Sequence, residues 1–217
     1  CIGVDIGTGV QAGNPTAACV LDRQSGEVVG LLWGRIDAAQ IVPELIRLGH
    51  YFNAAWLCIE KAHAGYAVIS ALAGTDVGAA RYPRLYLHDK PGGFTDVVEM
   101  PGYPMGSAEQ AFMFHRMRAA LKPDGGIPPV RIPSDRIVNE LGSVSYDEDS
   151  RIVYPTAPEG DVTTHCDTVV AFGLAVVAHQ SPTCPLPFHA PKREPLADIR
   201  AELALRQAEE EDRRSEA

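Results

Sequence analysis

The chain has 217 residues, 46% of them apolar and 7% aromatic, a composition typical of a folded globular protein that excludes general disorder. Its formal net charge of −9 argues against a general polyanion-binding protein, so any contact with nucleic acid requires a confined basic patch or metal ions that offset acidic groups. No apolar run reaches about 18 residues and no basic, then apolar, signal region begins the chain, which predicts a cytoplasmic protein without a membrane span.

The first part of the chain predicts three antiparallel strands followed by a helix. The apolar run CIGVDIG forms a buried strand that ends near Asp5. Residues 16–36 form two further strands joined by a turn at 22–26, and together the three strands make a meander. Asp37 is the predicted N-cap of an amphipathic helix that extends to residue 52.

Further strands and helices alternate after this meander. The remaining predicted elements are a fourth strand (54–60), a helix (65–73), a fifth strand (84–89), a helix (107–121), a short strand (130–132), a helix (135–143), a small β-hairpin (144–155) and a last core helix (167–179). The order predicts an α/β protein with a ribonuclease H-like fold. Its centre is a mixed five-stranded sheet, in which three antiparallel strands are followed by parallel strands, flanked by helices and accompanied by the hairpin.

The domain organisation follows from composition. Residues 1–180 are predicted to form one ribonuclease H-like domain, and 181–195 a proline-rich extended linker. Residues 196–217 form a charged tail with seven acids and four arginines. Because the chain starts at Cys1, without Met and directly in an apolar strand, we expect it to be a piece of a longer protein.

Acidic side chains stand at the edges of three predicted elements. Asp5 ends the first strand, Glu60 ends the fourth, and Asp167 begins the last helix, two residues after His165. In a ribonuclease H-like sheet the carboxyl ends of strands one and four lie side by side. Asp5 and Glu60 are therefore expected to converge, and Asp167 to join them from the start of its helix. His165 is a candidate catalytic residue that would contact the scissile phosphate or assist product release, and the alternative is a polar residue in the loop before the helix.

Such a convergence predicts a metal site. Three carboxylates within a few ångströms repel one another, each close pair costing on the order of 4 kcal/mol at an effective dielectric constant near 20. A cation must compensate, and oxygen ligands without clustered Cys or His favour a pair of Mg²⁺ or Mn²⁺ ions. Two such ions about 3.5–4 Å apart can activate a water molecule and stabilise the departing oxyanion of a phosphodiester. The sequence therefore predicts metal-dependent phosphodiester hydrolysis.

Several stretches resemble the nuclease domain of the large terminase subunit of tailed bacteriophages, in an order that spans residues 2–179. They are GVDIGTG, NPTAACVLD, CIEKAHAGYAVISALAG, RLYLHD, GGFTD, IPSDRIVNELGS and THCDTVVAFGLA. The resemblance implies a ribonuclease H or RuvC-like endonuclease that cuts concatemeric viral DNA during genome packaging. It also implies that Asp5, Glu60 and Asp167 bind the metal ions. The implied partners are double-stranded DNA, the terminase ATPase domain, the small terminase subunit and the portal protein, with no membrane.

Two positions depart from the family pattern. Cys166 stands where the family often has the first of two consecutive acids after the histidine, and Asn14 stands where it often has an acid. Both changes weaken the expected second metal site. The sequence also contains no G-x-x-x-x-G-K-[ST] phosphate loop, so we expect no ATP hydrolysis by this chain.

Other functions fit parts of the pattern. A RuvC-like junction resolvase shares the acids, and a catalytically silent DNA-docking or assembly module keeps the fold without cleavage. GVDIGTG also resembles the first phosphate loop of actin-like and sugar-kinase ATPases, which need a second such loop that this sequence lacks. Five basic side chains are candidate phosphate contacts, although each alone is typical of a solvated surface: Lys90, Arg116, Arg118, Arg131 and Arg136.

Overall fold

A computed structural model describes residues 1–8, 13–74, 82–88, 101–122, 129–148, 151–154 and 166–184. All of them belong to one compact unit, Cys1–Pro185. The predicted tail, the predicted linker beyond Cys184, the GGFTD stretch and His165 lie outside the described residues. Within the described part, no helix has the length and apolar character that a membrane span requires.

The predicted antiparallel meander forms one side of the central sheet. Its strands are β1 (Ile2–Asp5), β2 (Thr16–Asp22) and β3 (Glu27–Gly34), and β4 (Leu57–Ile59) joins β1 in parallel. The strand order is β3-β2-β1-β4, with β1 pairing antiparallel to β2 and β2 antiparallel to β3. The mixed sheet with antiparallel and parallel parts is therefore as predicted.

The sheet has four strands among the described residues, not the predicted five. Of the predicted fifth strand, 84–89, only Leu85 bridges β4, in a single parallel contact with Leu57. Further along the same edge the partner is Tyr103, whose N–H donates to Ile59 O at 2.8 Å. Two short segments, one at Leu85 and one at Tyr103, thus share the edge beside β4. Because each makes only one isolated bridge, neither forms a strand.

Five helices and a hairpin complete the described fold. The helices are α1 (Ala38–Tyr51), α2 (Ala64–Ala73), α3 (Ser107–Leu121), α4 (Asp135–Ser143) and α5 (Asp167–Gln180), and the hairpin consists of β5 (Ser145–Tyr146) and β6 (Ile152–Val153). Asp37 caps α1 as predicted, because its Oδ1 accepts hydrogen bonds from the Ala39 and Gln40 N–H groups at 2.8 and 2.9 Å. A side-chain acceptor at this position satisfies donors that the helix itself cannot.

Helices cover both faces of the sheet. On one face α1 and α2 pack over the apolar side chains of β1 and β4. On the other face lies α5, which is apolar around its whole circumference and whose residues 167–178 are all buried. Gly3 permits the close approach of α5, since a Cβ atom there would lie 2.0 Å from Ala171 O. Because Gly3 has no side chain, α5 packs directly against β1, the strand that ends at Asp5.

Candidate active site

The alternation of side chains in β1 and β4 directs two acids towards α5. Val4 and Ile59 belong to the core beneath α1 and α2. Asp5 and Glu60 are the next residues, so their side chains point to the opposite face of the sheet, where α5 lies. The Glu60 N–H donates to Val4 O at 2.9 Å, which continues the parallel pairing of the two strands. The two carboxyl groups therefore stand side by side at neighbouring strand ends.

Asp5 is buried beside Glu60. Burial raises the pKa of Asp5 well above its usual range, and the neighbouring Glu60 carboxylate and the negative charges of Asp167 and Glu140 raise it further. The raised pKa of Asp5 is therefore the consequence of crowding several acids at the two strand ends.

Asp167 approaches the pair from the first residue of α5. Only 6% of its surface is exposed, and its Oδ2 atom is buried without a hydrogen-bond partner among the described residues. Burial raises the pKa of Asp167 to about 7, and the charges of Glu140 and Glu60 contribute in the same direction. An unpartnered buried carboxylate oxygen is costly, since a polar group removed from water needs a replacement partner. This oxygen is the atom of the site that most clearly lacks a ligand.

A fourth acid, Glu140 on α4, lies next to Asp167 and was not predicted from the sequence. It is equally buried, at 6% exposure, but both of its oxygens have partners. Oε2 accepts from the N–H and the Oγ1 of Thr168, at 3.0 and 2.5 Å. Oε1 faces Arg136 Nη1 at 3.4 Å. Spacing carried a signal for Glu140, because it follows the fully buried Ile137 by three residues and so lies on the buried face of α4.

The first three acids line one cavity of about 360 Å³. Its other walls are mostly neutral and come from several segments: Ile6, Gly7, Thr8, Asn14, His63, Ala64, Met105, Gln110, Tyr154, Cys166 and Val170. Gln110 Nε2 donates to the Tyr154 hydroxyl at 2.8 Å, which places a neutral polar pair in the cavity wall. The sequence offered no pattern that singles out this pair.

His63 lies at the cavity in a strained backbone conformation. It is the N-cap of α2, with φ of 40° and ψ of −116°, a region that residues with a Cβ atom rarely adopt. The turn that contains it is tight, since a Cβ atom on Gly65 would lie 2.0 Å from Glu60 O. The chain between Glu60 and α2 therefore reverses sharply, and this reversal directs His63 into the site.

The donor set of the cavity fits a divalent cation in its chemistry, although the side chains do not form a finished cage. Among the described residues, no three His, Cys, Asp or Glu side chains are arranged as a metal-binding cluster. Carboxylate oxygens are nevertheless the ligands that Mg²⁺ and Mn²⁺ prefer. Asp5 and Glu60 stand side by side with Asp5 buried, and Asp167 Oδ2 has no hydrogen-bond partner among the described residues. These carboxylate oxygens are the groups that would hold a divalent cation.

The predicted site residues thus divide into two groups. The structure brings Asp5, Glu60 and Asp167 to one cavity, and their role in metal binding stays a prediction. His165 lies outside the described residues. Both departures from the family pattern, Asn14 and Cys166, also line the cavity, so the positions at which acids were expected do face the site.

Among the predicted phosphate contacts, Arg136 is the one whose charge reaches the acids. Its positive charge lowers the pKa of Asp167, against the larger effect of burial. The guanidinium lies 3.7 Å from the ring centroid of Trp33, which is 38% exposed. Stacking of this kind orients a guanidinium while leaving N–H groups at its edge to donate to a phosphate. Arg131 instead pairs with Glu27 at 2.7 Å, and Lys90 lies outside the described residues.

Comparison with solved structures identifies similar folds. The chain is similar to the crystal structure of the large terminase nuclease from thermophilic phage G20c with bound magnesium, with a TM-score of 0.54 and 18% identity over 81% of this chain and 79% of that one. A second structure of the large terminase nuclease from phage G20c matches with a TM-score of 0.53, the same identity and the same coverage. No protein-family model and no curated protein matches the sequence. The resemblance predicted from the sequence motifs is therefore confirmed in the fold, and this chain has the fold of a phage large-terminase nuclease.

Proposed function

We propose that this protein is a metal-dependent DNA endonuclease that acts in phage genome packaging. The observation that carries the proposal is the meeting of Asp5, Glu60 and Asp167, from three separate elements, in one cavity where the pKa values of Asp5 and Asp167 are raised. Acids in a cavity with pKa values perturbed by burial and by one another commonly mark a functional site. The likeness in fold to a terminase nuclease that has bound magnesium supports the same reaction and a divalent cofactor.

Each acid has a separate part in the proposed site. Asp5 and Glu60 would hold a cation between neighbouring strand ends. Asp167 would turn its unpartnered Oδ2 to the same site. Two Mg²⁺ or Mn²⁺ ions held there would supply the activation of water and the stabilisation of the departing oxyanion that phosphodiester hydrolysis needs. The substitution of an acid by Asn14 and Cys166 leaves fewer ligands for the second ion than for the first.

The surroundings of the cavity suit a nucleic-acid backbone. Three clustered carboxylates repel phosphate, so the DNA needs a cation beside the site as well as the metal ions within it. Arg136, preoriented on Trp33, would provide this contact to a phosphate next to the scissile one. The cavity has a largely neutral wall opposite the acids, and the hydroxyl of Tyr154 could donate to a phosphate oxygen there. His165 is proposed to act near the scissile phosphate, as the resemblance implies.

In the packaging context the substrate would be concatemeric double-stranded viral DNA. The terminase ATPase domain, the small terminase subunit and the portal protein would then be the partners that position the DNA and time the cut. A catalytically silent DNA-docking module is the second candidate, and one observation favours it: no ready-made metal cluster exists among the described residues. A RuvC-like junction resolvase would show the same metal chemistry with a preference for branched DNA.

Nicking of supercoiled plasmid in the presence of Mn²⁺ tests the proposal. We expect Asp5→Asn, Glu60→Gln and Asp167→Asn each to abolish nicking, because each removes a charged ligand without changing the size of the side chain. Asp135→Asn is the matched control, since Asp135 is the exposed first residue of α4 as Asp167 is the buried first residue of α5. A wild-type protein that binds plasmid but never nicks it would leave the docking module as the better account.

A further inference from the structure

Glu140 resembles a metal ligand in its burial but not in its bonding. Asp167 and Glu140 are both 6% exposed, and only Asp167 has a carboxylate oxygen without a partner. Glu140 uses one oxygen for Thr168 and the other for Arg136, and it is absent from the residues that line the cavity. A side chain that is satisfied in this way acts on the site through its neighbours rather than by direct contact.

The neighbour that matters is the first turn of α5. The first N–H groups of a helix have no partner within the helix, and a side chain of the N-cap residue usually provides one. The N-cap residue of α5 is Cys166, whose side chain makes no capping hydrogen bond. The missing cap is instead supplied from another helix, because Glu140 Oε2 accepts from the Thr168 N–H.

The second hydrogen bond, from the Thr168 hydroxyl, restricts the orientation of Thr168 as well as its distance from Glu140. Thr168 is fully buried, and its N–H and Oγ1 both donate to the same oxygen of Glu140. Two bonds from one residue to one atom restrict both the backbone and the side chain of the turn. Asp167 directly precedes Thr168, so the same restriction determines where its carboxylate points.

We infer that Glu140 is a positioning residue, which caps α5 from α4 and thereby holds the Asp167 carboxylate in the geometry that binds the cation. The effect of Glu140 on cation binding rests on the proposed function. The capping of α5 by Glu140 does not, because it concerns only hydrogen bonds within the chain. Groups that orient metal ligands typically change metal affinity or activity about 10- to 100-fold when they are removed. The cap also explains why the fold accepts a fourth buried acidic side chain next to the other three.

Two variants separate the hydrogen bonds of Glu140 from its charge. Glu140→Gln keeps an oxygen that can accept from Thr168 and removes the charge, whereas Glu140→Leu removes both. Glu44→Gln and Glu44→Leu are matched controls, because Glu44 is also a helical acid paired with an arginine, Arg47, but lies on α1 away from the cavity. All measurements are made at a temperature where circular dichroism shows every variant to be folded.

The first readout needs no metal. Amide exchange at Thr168, followed by NMR, reports the bond to Glu140 directly, since this N–H has no partner within its own helix. We expect fast exchange at Thr168 in Glu140→Leu and protection close to wild type in Glu140→Gln, with unchanged exchange in β1. Parallel acceleration throughout the core of Glu140→Leu would mean a general structural role and would overturn the inference.

The second readout is the binding of Mn²⁺ itself, measured from the electron paramagnetic resonance signal of the free ion. Glu140→Leu should bind about 10- to 100-fold more weakly than wild type, and Glu140→Gln should recover most of the loss. Equal losses in both variants would assign the effect to charge and overturn a role through hydrogen bonds. If Glu140→Leu fails to fold, Thr168→Val replaces it, because this variant removes only the hydrogen bond of the hydroxyl to Glu140. Thr168→Val should weaken Mn²⁺ binding to a smaller extent. An unchanged Mn²⁺ affinity in Thr168→Val would overturn the positioning role of Glu140.

Failure of the inference is distinct from failure of the proposed function. A wild-type protein that neither binds Mn²⁺ nor nicks DNA contradicts the proposed function, and the consequence drawn for Glu140 falls with it. A wild-type protein that does both, with a folded Glu140→Leu variant that matches it in Thr168 exchange and Mn²⁺ affinity, contradicts the positioning role alone.

Discussion

Replacing Asp167 with asparagine should change the pH dependence of stability in the metal-free protein. The pKa of this carboxyl group is raised from 3.8 to about 7, chiefly by burial. The unfolded chain therefore releases the proton near pH 4, while the folded chain keeps it until about pH 7. Between these values the folded state binds more protons, so the free energy of unfolding falls as the pH rises through this window.

The size of the effect follows from the same shift. Each unit of pKa corresponds to about 1.4 kcal/mol, so a shift of about three units costs the folded protein at most about 4 kcal/mol once Asp167 is ionised. Because the group borders an open cavity where solvent screens its charge, we expect roughly 2–4 kcal/mol. Asp167→Asn cannot ionise, so it should match the wild type near pH 4 and exceed its stability by this amount at pH 8.

Urea unfolding in the presence of a metal chelator, followed by circular dichroism from pH 4 to pH 8.5, measures the difference. The wild type should lose stability as the pH rises, and the variant should lose less. Some pH dependence will remain in the variant because the pKa of Asp5 is raised as well, by burial and by the neighbouring acids. Asp135→Asn, at the exposed start of α4, should leave the wild-type curve unchanged. Parallel curves for wild type and Asp167→Asn would refute the view that the cavity stores unfavourable charge.

Two further substitutions test the fold and the DNA contact. Gly3→Ala should destabilise the protein by about 3 kcal/mol or more in the same urea assay, because the new Cβ atom would lie 2.0 Å from Ala171 O. Gly142→Ala is the control and should be neutral or slightly stabilising, because a Cβ atom there meets nothing within 4 Å. Equal effects at both glycines would contradict the close packing of α5 on β1. Arg136→Gln should weaken DNA binding, measured by fluorescence anisotropy in Ca²⁺, and reduce the slope of log affinity against log salt by about one. Arg47→Gln serves as its control on α1, and an unchanged slope for Arg136→Gln would remove this residue from the interface.

Much of the site could be predicted because it depends on local patterns. Asp5 and Glu60 each follow an apolar run, and strand alternation then determines the face to which they point. The last helix is apolar on all sides, which predicts burial on the sheet and carries Asp167 with it. Local sequence therefore determined which acids converge, once the order of the elements indicated that strands one and four are neighbours.

The features that could not be predicted depend on contacts between distant segments. The prediction of a fifth strand was wrong because Tyr103, from a turn-rich segment, pairs with part of the edge that residues 84–89 were expected to fill. The cap on α5 comes from Glu140, 28 residues before Thr168, and no local rule for N-caps includes such a partner. The Gln110 and Tyr154 pair likewise joins residues 44 positions apart. Each of these contacts arises from packing in three dimensions, which a pattern of neighbouring residues does not encode.

The central claim is that Asp5, Glu60 and Asp167 meet in order to bind divalent cations, and a crystal of the protein soaked in Mn²⁺ tests it most directly. The account predicts anomalous density in the acidic cavity, about 2.1 Å from carboxylate oxygens of these three residues. A cavity without anomalous density at saturating Mn²⁺ would contradict the account.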